Sequence, residues 1–184
     1  MSIDTQDPLQ KTVSPRGKSL AFVDYLISRC KADNGLRAAL KRADNPATEY
    51  QSWEVLAGFH INLEHENQRL PHAAIAATIA RAKVEKNGTV KIGQAIARCY
   101  EDGNASDQAK AKLRRLLACD SVAEACRILR PLFGLIEAKG NIVLDYAGLL
   151  NDLLWFGHDE SQIRIKARWA QDFYGKPVDG GKDE

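Results

Sequence analysis

The amino-acid pattern is that of an all-α protein, a compact bundle of about eight helices. Apolar residues return at i, i+3, i+4 and i+7 along most of the chain. Between residues 100 and 174 β-branched residues are sparse, and Ala, Leu, Arg, Lys and Glu, the strong helix formers, dominate. Ser, Thr or Asp precedes several of the apolar stripes, where a side-chain oxygen can accept a bond from a free N–H of the first turn.

Residues 1–15 are polar, contain Pro8 and Pro15, and are expected to be disordered. The first helix follows, with Leu20, Phe22, Val23, Leu26 and Ile27 on its inner stripe. Asp33 is placed to cap a short second helix carrying Leu36, Ala39, Leu40 and Ala43, which Asn45-Pro46 ends. A third helix starts near Thr48 and runs through Trp53, Leu56 and Ala57, stopping somewhere in His60–Asn67. Pro71 suits the first turn of an Ala-rich fourth helix that ends at Asn87-Gly88.

Ile92, Ala95, Ile96 and Cys99 form the next stripe, broken by Gly103 and Asn104. Ser106 caps a helix with Ala109, Leu113, Leu116 and Leu117 inward. Ser121-Val-Ala-Glu124 reads as a capping box, opening a helix with Ala125, Ile128, Leu129, Leu132 and Ile136 inward. Pro131 lies within that pattern and predicts a kink or a break. Asp145 caps a helix with Leu149, Leu150, Leu153 and Leu154, and residues 159–174 form the last, with Ile163, Ala170, Phe173 and Tyr174. Asn141–Leu144 carries a weak strand pattern, and the Gly- and Pro-containing tail 175–184 is expected to be disordered. The length fits a single domain spanning residues 16–174, with no internal Gly/Ser or Pro-rich linker.

The start lacks a basic segment followed by an apolar core, so no signal peptide is expected. The longest apolar candidate, Ala73 to Ala80, is too short to span a bilayer. A cytoplasmic protein with no membrane partner is expected, its cysteines Cys30, Cys99, Cys119 and Cys126 unpaired core thiols, since none form a CxxC pair.

The chemistry of a conventional active site is missing. There is no glycine-rich phosphate loop, nucleophile elbow or paired CxxC zinc pattern, so no cofactor is expected. His60, Glu64 and His65 have the wrong spacing for a metalloprotease helix, and His60 and His65 would point roughly 140° apart on it. Asp145 is better read as a cap than as half of a carboxylate pair with Asp152, which faces water or accepts a bond from a neighbouring helix.

What remains is basic helix faces. The formal net charge is +2, but the two terminal segments carry three basic and five acidic residues, leaving the centre at +4. Arg37 and Lys41, with Arg42 beside them, lie outside the apolar stripe of the second helix; Lys91, Gln94 and Arg98 do so around Ile92. Lys110, Lys112, Arg114 and Arg115 fill the wheel outside the leucines of the next helix. Arg127 and Arg130 stand at i, i+3, and Arg164 and Arg168 at i, i+4. Residues 105–130 hold six basic and three acidic residues. Such rows can meet successive phosphates without reading bases. They can equally be a solvated surface, with pairs such as Arg168 and Asp172.

Several blocks, in order, resemble the small subunit of the type I-E CRISPR Cascade complex, the CasB-type family. They are Asp33-Asn-Gly-Leu-Arg-Ala-Ala-Leu-Lys-Arg42, Lys91-Ile-Gly-Gln-Ala-Ile-Ala-Arg98, Lys112-Leu-Arg-Arg-Leu-Leu-Ala-Cys-Asp-Ser121, Leu144-Asp-Tyr-Ala-Gly-Leu-Leu-Asn-Asp-Leu153 and Arg168-Trp-Ala-Gln-Asp-Phe-Tyr174. The resemblance covers roughly residues 18–174 and rests on order and spacing rather than on one block. It implies a non-enzymatic helical bundle whose partners are the other Cascade subunits, a CRISPR guide RNA, target DNA and a second copy of itself. It implies that the guide–target hybrid and the displaced strand are held through their backbones. The residues carried over are Arg37, Lys41, Arg42, Lys91, Arg98, Arg114, Arg115 and Arg127. The family often has Arg directly after the Gly of the second block. Gln94 stands there in this chain, leaving Lys91 and Arg98 to carry that contact. The competing expectation is a helical protein–protein adaptor with no nucleic-acid role.

Overall fold

The computed structural model describes residues 14–175. They form nine α-helices and two single 3₁₀ turns. The helices are α1 Pro15–Ala32, α2 Asn34–Leu40, α3 Trp53–Gly58, α4 Glu66–Ala82, α5 Ile92–Arg98, α6 Asp107–Leu117, α7 Val122–Lys139, α8 Tyr146–Trp155 and α9 Asp159–Tyr174. The 3₁₀ turns are Glu49–Ser52 and Gly103–Ala105. The terminal segments expected to be disordered lie outside the described residues, except at their inner edges. There Ser14 accepts a bond from the Gly17 N–H and Pro15 opens α1. That is where a proline costs least, because its absent N–H would have been unpaired anyway.

The centre of the bundle is α4. All ten residues from Pro71 to Ala80 are buried, because α1, α2, α7 and α8 all pack against it. Its alanines let those helices approach closely, so the apolar run too short for a membrane is the spine of a core. Among the described residues no helix is long and apolar enough to cross a membrane. Around α4, α1 lies along α8, and α5 lies along α9, with α6 touching α5, α7 and α9. Gly93 makes the α5–α9 contact possible: a Cβ there would stand 2.2 Å from the Trp169 carbonyl oxygen.

The expected caps form. Asp33, Ser106, Ser121 and Asp145 each accept a first-turn N–H, from Leu36, Ala109, Glu124 and Gly148. The return half of the Ser121 box is displaced by one residue, with Glu124 accepting from the Asp120 N–H.

Several boundaries differ from expectation. Helix α4 starts about one turn before Pro71, at Glu66, and ends at Ala82 rather than at Asn87-Gly88. It stops because Lys83 turns left-handed, with φ 50°, and the Val84 N–H reaches back to the Ile79 carbonyl. His60 ends α3 the same way, with φ 62°, its N–H bonded to Ala57 and that of Ile61 to Leu56. Glycine usually fills such positions. Gly88 serves a different purpose: its N–H donates to the Leu144 carbonyl, at a crossing where a Cβ would meet the Val143 carbonyl oxygen at 2.0 Å. The weak strand pattern at 141–144 resolves there into a single parallel bridge between Val90 and Leu144.

Pro131 does not interrupt α7, which runs unbroken through it. Pro131 and Arg127 are both exposed, so the Arg127 carbonyl that loses its helical partner is on the water side of the helix. Leu20, Ile163 and Tyr174, expected inward, are exposed at 41%, 69% and 51%. In α9 the inward residues are Ile165, Trp169 and Phe173, and the Trp169 ring stacks on Phe156 at 5.5 Å.

Candidate nucleic-acid interface

Every basic residue singled out in the sequence lies on a helix or at its end, but the structure sorts the set into different chemical situations.

The last turn of α6 presents Arg114 and Arg115, both exposed, and neither forms an ion pair among the described residues. They stand there because Leu113 and Leu116 take the buried stripe. Arg115 and Lys112 border a hollow of about 100 Å³ whose far wall is Ile128, Pro131 and Leu132 of α7. Arg127 lies one turn before Pro131, so it shares that side of α7. Arg127 is exposed and, among the described residues, approaches only Glu124, at 3.7 Å. Arg115, Lys112 and Arg127 therefore stand where α6 meets α7, while Arg114 is turned about 100° from Arg115 around α6.

Arg37, Lys41 and Arg42 form a second group, with Arg37 and Lys41 half-buried and Arg42 exposed. The turn after α2 is held by Asp44, whose two carboxylate oxygens receive Arg81 at 3.0 and 2.8 Å. Arg130 of α7 approaches the same carboxylate at 3.5 Å, and Arg81 also donates to the Lys41 carbonyl. Asp44 thus ties the segment bearing Lys41 and Arg42 to α4 and to α7, the helix that carries Arg127. Sequence reading did not assign Arg81 or Asp44, and no local spacing signals their pairing.

Lys91 is in a third situation. Its ammonium is bonded to the Asp145 carboxylate, which is 3% exposed. The same carboxylate accepts from Arg16 at 3.1 Å, from Asn87 at 3.1 Å and from the Gly148 N–H at 2.9 Å. Burial pushes the Asp145 carboxyl up, but the bonds from Lys91, Asn87 and Gly148, with the Lys91 charge, outweigh it and hold the group below its ordinary value. Beside it, Asp152 accepts Arg168 and the Trp169 indole N–H, the latter at 2.8 Å. Burial prevails there and raises the Asp152 carboxyl. Arg168 therefore pairs with Asp152 of α8 rather than with Asp172 one turn along its own helix. These charges share one cavity of about 260 Å³, in which Arg16, Lys91 and Arg168 face Asp145, Asp152 and Asp172.

Gln94, in the position where the family often has Arg, accepts the Lys91 backbone N–H at 3.2 Å and caps α5. Arg98, in the last turn of α5, is exposed and makes no ion pair among the described residues. Of the eight carried-over residues, the structure leaves Arg42, Arg98, Arg114 and Arg115 exposed and without an ion pair among the described residues, and Arg127 loosely paired. It commits Lys91 to a buried carboxylate.

The cysteines take no part in this surface. Cys30, Cys99 and Cys119 are buried and all four thiols are free. Burial pushes each upward, Cys126 to about 12, which suits packed, unreactive thiols.

Comparison with known proteins adds the family context. The family model for CRISPR-associated protein Cse2 matches residues 36–174. Among solved structures, CasB from M. ruber is 22% identical, with a TM-score of 0.66, over 85% of this chain and 92% of its own. CasB from Thermus thermophilus is 23% identical, with a TM-score of 0.66, over 86% of this chain and 98% of its own. A chain of a CRISPR RNA-guided surveillance complex is 21% identical, with a TM-score of 0.65, over 86% of this chain and 91% of its own. No curated protein matches the sequence.

Proposed function

Since the chain belongs to the CRISPR-associated Cse2 family, we propose that it is the small, non-catalytic subunit of a type I-E RNA-guided surveillance complex in the cytoplasm. Its partners in this reading are the other Cascade subunits, the CRISPR guide RNA, target DNA and a second copy of itself. Its task is to hold the guide–target hybrid and the displaced strand through their phosphates.

The observation that carries this reading is the set of exposed arginines on α6 and α7. Arg114 and Arg115 are exposed and unpaired among the described residues, and Arg127 is exposed and loosely paired, all on helices fixed by a buried leucine stripe. A protein that relies on guide pairing to read sequence needs a charged surface of fixed shape, and no base-reading device. Arginine suits that use because its planar fork matches phosphate oxygens.

The test is the lifetime of opened target DNA on complexes rebuilt with Arg114→Ala, Arg115→Ala and Arg127→Ala together. Hydrogen bonds to charged groups contribute about 1–3 kcal/mol each, and exposed ones less, so the triple variant should release target about tenfold to a hundredfold sooner. The salt slope of target binding should fall by about one for each phosphate that goes unneutralised. Guide RNA should stay bound. Equal lifetimes for variant and wild type at physiological salt, with the complex intact, would remove these residues from the interface and point to Arg37, Lys41 and Arg42.

A further inference from the structure

A groove of about 820 Å³ runs between α1, the 59–61 loop, α4 and α8. None of the eight candidate nucleic-acid residues lines it, so a role for this groove is independent of the phosphate-binding reading. Its walls are mainly apolar, with Phe59, Ile61, Leu154 and Trp155 as the larger contributors. Trp155 is 42% exposed, its ring tilted against that of His158 at 5.5 Å, and His158 also lines the groove. An apolar volume of that size fits two or three anchoring side chains.

The charge of the lining defines what would fill it. Among the described residues the lining contains no carboxylate: its charged residue is Lys18, joined by His60, His72 and His158, three of the chain's four histidines. In a chain with 24 acidic residues, that selects against a basic occupant.

We propose that this groove is a docking site for a segment of a partner protein that presents apolar side chains flanked by carboxylates. A nucleic-acid strand fits it less well, because a single lysine cannot follow a phosphate backbone.

The test is a titration of the full chain with a fluorescein-labelled twelve-residue peptide alternating Leu or Phe with Glu. Saturable binding in the range of about 1–100 μM is expected, with the same peptide carrying Lys for Glu at least about tenfold weaker. Ala21 is exposed in the lining, so Ala21→Glu should fold normally by circular dichroism and weaken the acidic peptide about tenfold or more. Lys18→Glu, also at an exposed site, should weaken it a few-fold, whereas Lys86→Glu, outside the groove, should not. The proposal is overturned by equal or tighter binding of the lysine peptide, by acidic-peptide binding that ignores Ala21→Glu, or by no binding up to about 1 mM. Competition by oligothymidylate that Ala21→Glu abolishes would overturn it too, reassigning the groove to a nucleotide strand.

Discussion

The junction of α1, α5, α8 and α9 and the face shared by α6 and α7 are built from the same basic residue types and use them in opposite ways. At the junction, Lys91 and Arg16 converge on Asp145, and Arg168 on Asp152, both carboxylates largely removed from water. On α6–α7, Arg114 and Arg115 meet no carboxylate among the described residues and Arg127 meets one at arm's length. Paired with a buried acid, a cation fixes one helix against another. Left exposed on a rigid helix, it keeps its charge available to a partner. A basic face in a sequence is therefore not one kind of object, and the difference lies in what the rest of the chain brings to it.

The comparison breaks most visibly at Asp145. That carboxylate caps α8 and collects Lys91, Arg16 and Asn87, and the same Asn87 accepts the Ala147 N–H. Asp145→Ala removes a cap contributing about 1 kcal/mol and separates a buried ion pair, a change of about 3–5 kcal/mol where both partners are dry. Arg16 and Lys91 are partly in water and can be rehydrated, so about 3 kcal/mol is expected in all. Chemical denaturation would read it directly, and a thermal scan should show a midpoint lowered by roughly 10 °C. A loss below about 1 kcal/mol would mean the junction is no more than surface chemistry.

That contrast was only partly legible in the sequence. Caps at Asp33, Ser106, Ser121 and Asp145 were readable because a capping oxygen and its N–H lie three residues apart. The starts and stops without such chemistry were not. His65-Glu66 opens α4 with no side-chain cap, and Lys83 closes it with a left-handed residue that is not glycine. Both are imposed by packing around α4 rather than by local preference. Helix spacing placed Lys91 and Arg114 alike outside the apolar stripes. The acid that claims Lys91 is 54 residues away, and no periodicity carries that distance. The Trp169 indole and Arg168 find Asp152 across 17 and 16 residues, so the i, i+4 pair expected with Asp172 gives way to a tertiary one.

The two junction carboxylates should sharpen the comparison through pH, because their shifts have opposite signs. Asp145 is held below its ordinary value by its bonds, so its contribution is complete at neutral pH and is lost as pH falls through its folded-state value, where the unfolded chain binds the proton more readily. Asp152 is raised by burial, so the folded protein takes up its proton first and the penalty for its charge is relieved as pH falls from neutral toward the ordinary carboxylate value. Asp152→Asn keeps an acceptor for the Trp169 indole and leaves Arg168 partly in water. It should change stability at pH 7 by no more than about 1 kcal/mol and remove that acid-side gain. Asp145→Asn should instead remove the loss at still lower pH. Denaturant melts of the three proteins across pH 3–7 (about the titration range of shifted carboxylates) would compare them, and parallel profiles for both variants would contradict the opposed shifts.

The smallest effect on stability belongs to the α6–α7 face, and its smallness is the point. Arg114 and Arg115 sit in the last turn of α6, where a positive charge gains about 0.3–1 kcal/mol from the helix dipole in low salt. They are also adjacent to each other, and Lys112 and Arg115 border the same hollow, so removing either relieves like-charge repulsion of similar size. The two effects oppose. Both arginines are exposed, and Leu113 and Leu116 take the buried stripe of α6. Arg114→Ala and Arg115→Ala, singly, should therefore leave the unfolding free energy within about 0.5 kcal/mol of wild type, the usual range for surface sites outside a cap or pair. The same two variants should weaken retention of target DNA in the assembled complex, so one pair of substitutions separates the two uses of charge. A stability loss above about 1 kcal/mol for either would place that arginine with Lys91 among the residues that hold the fold, and its effect on DNA would then carry no information about direct phosphate binding.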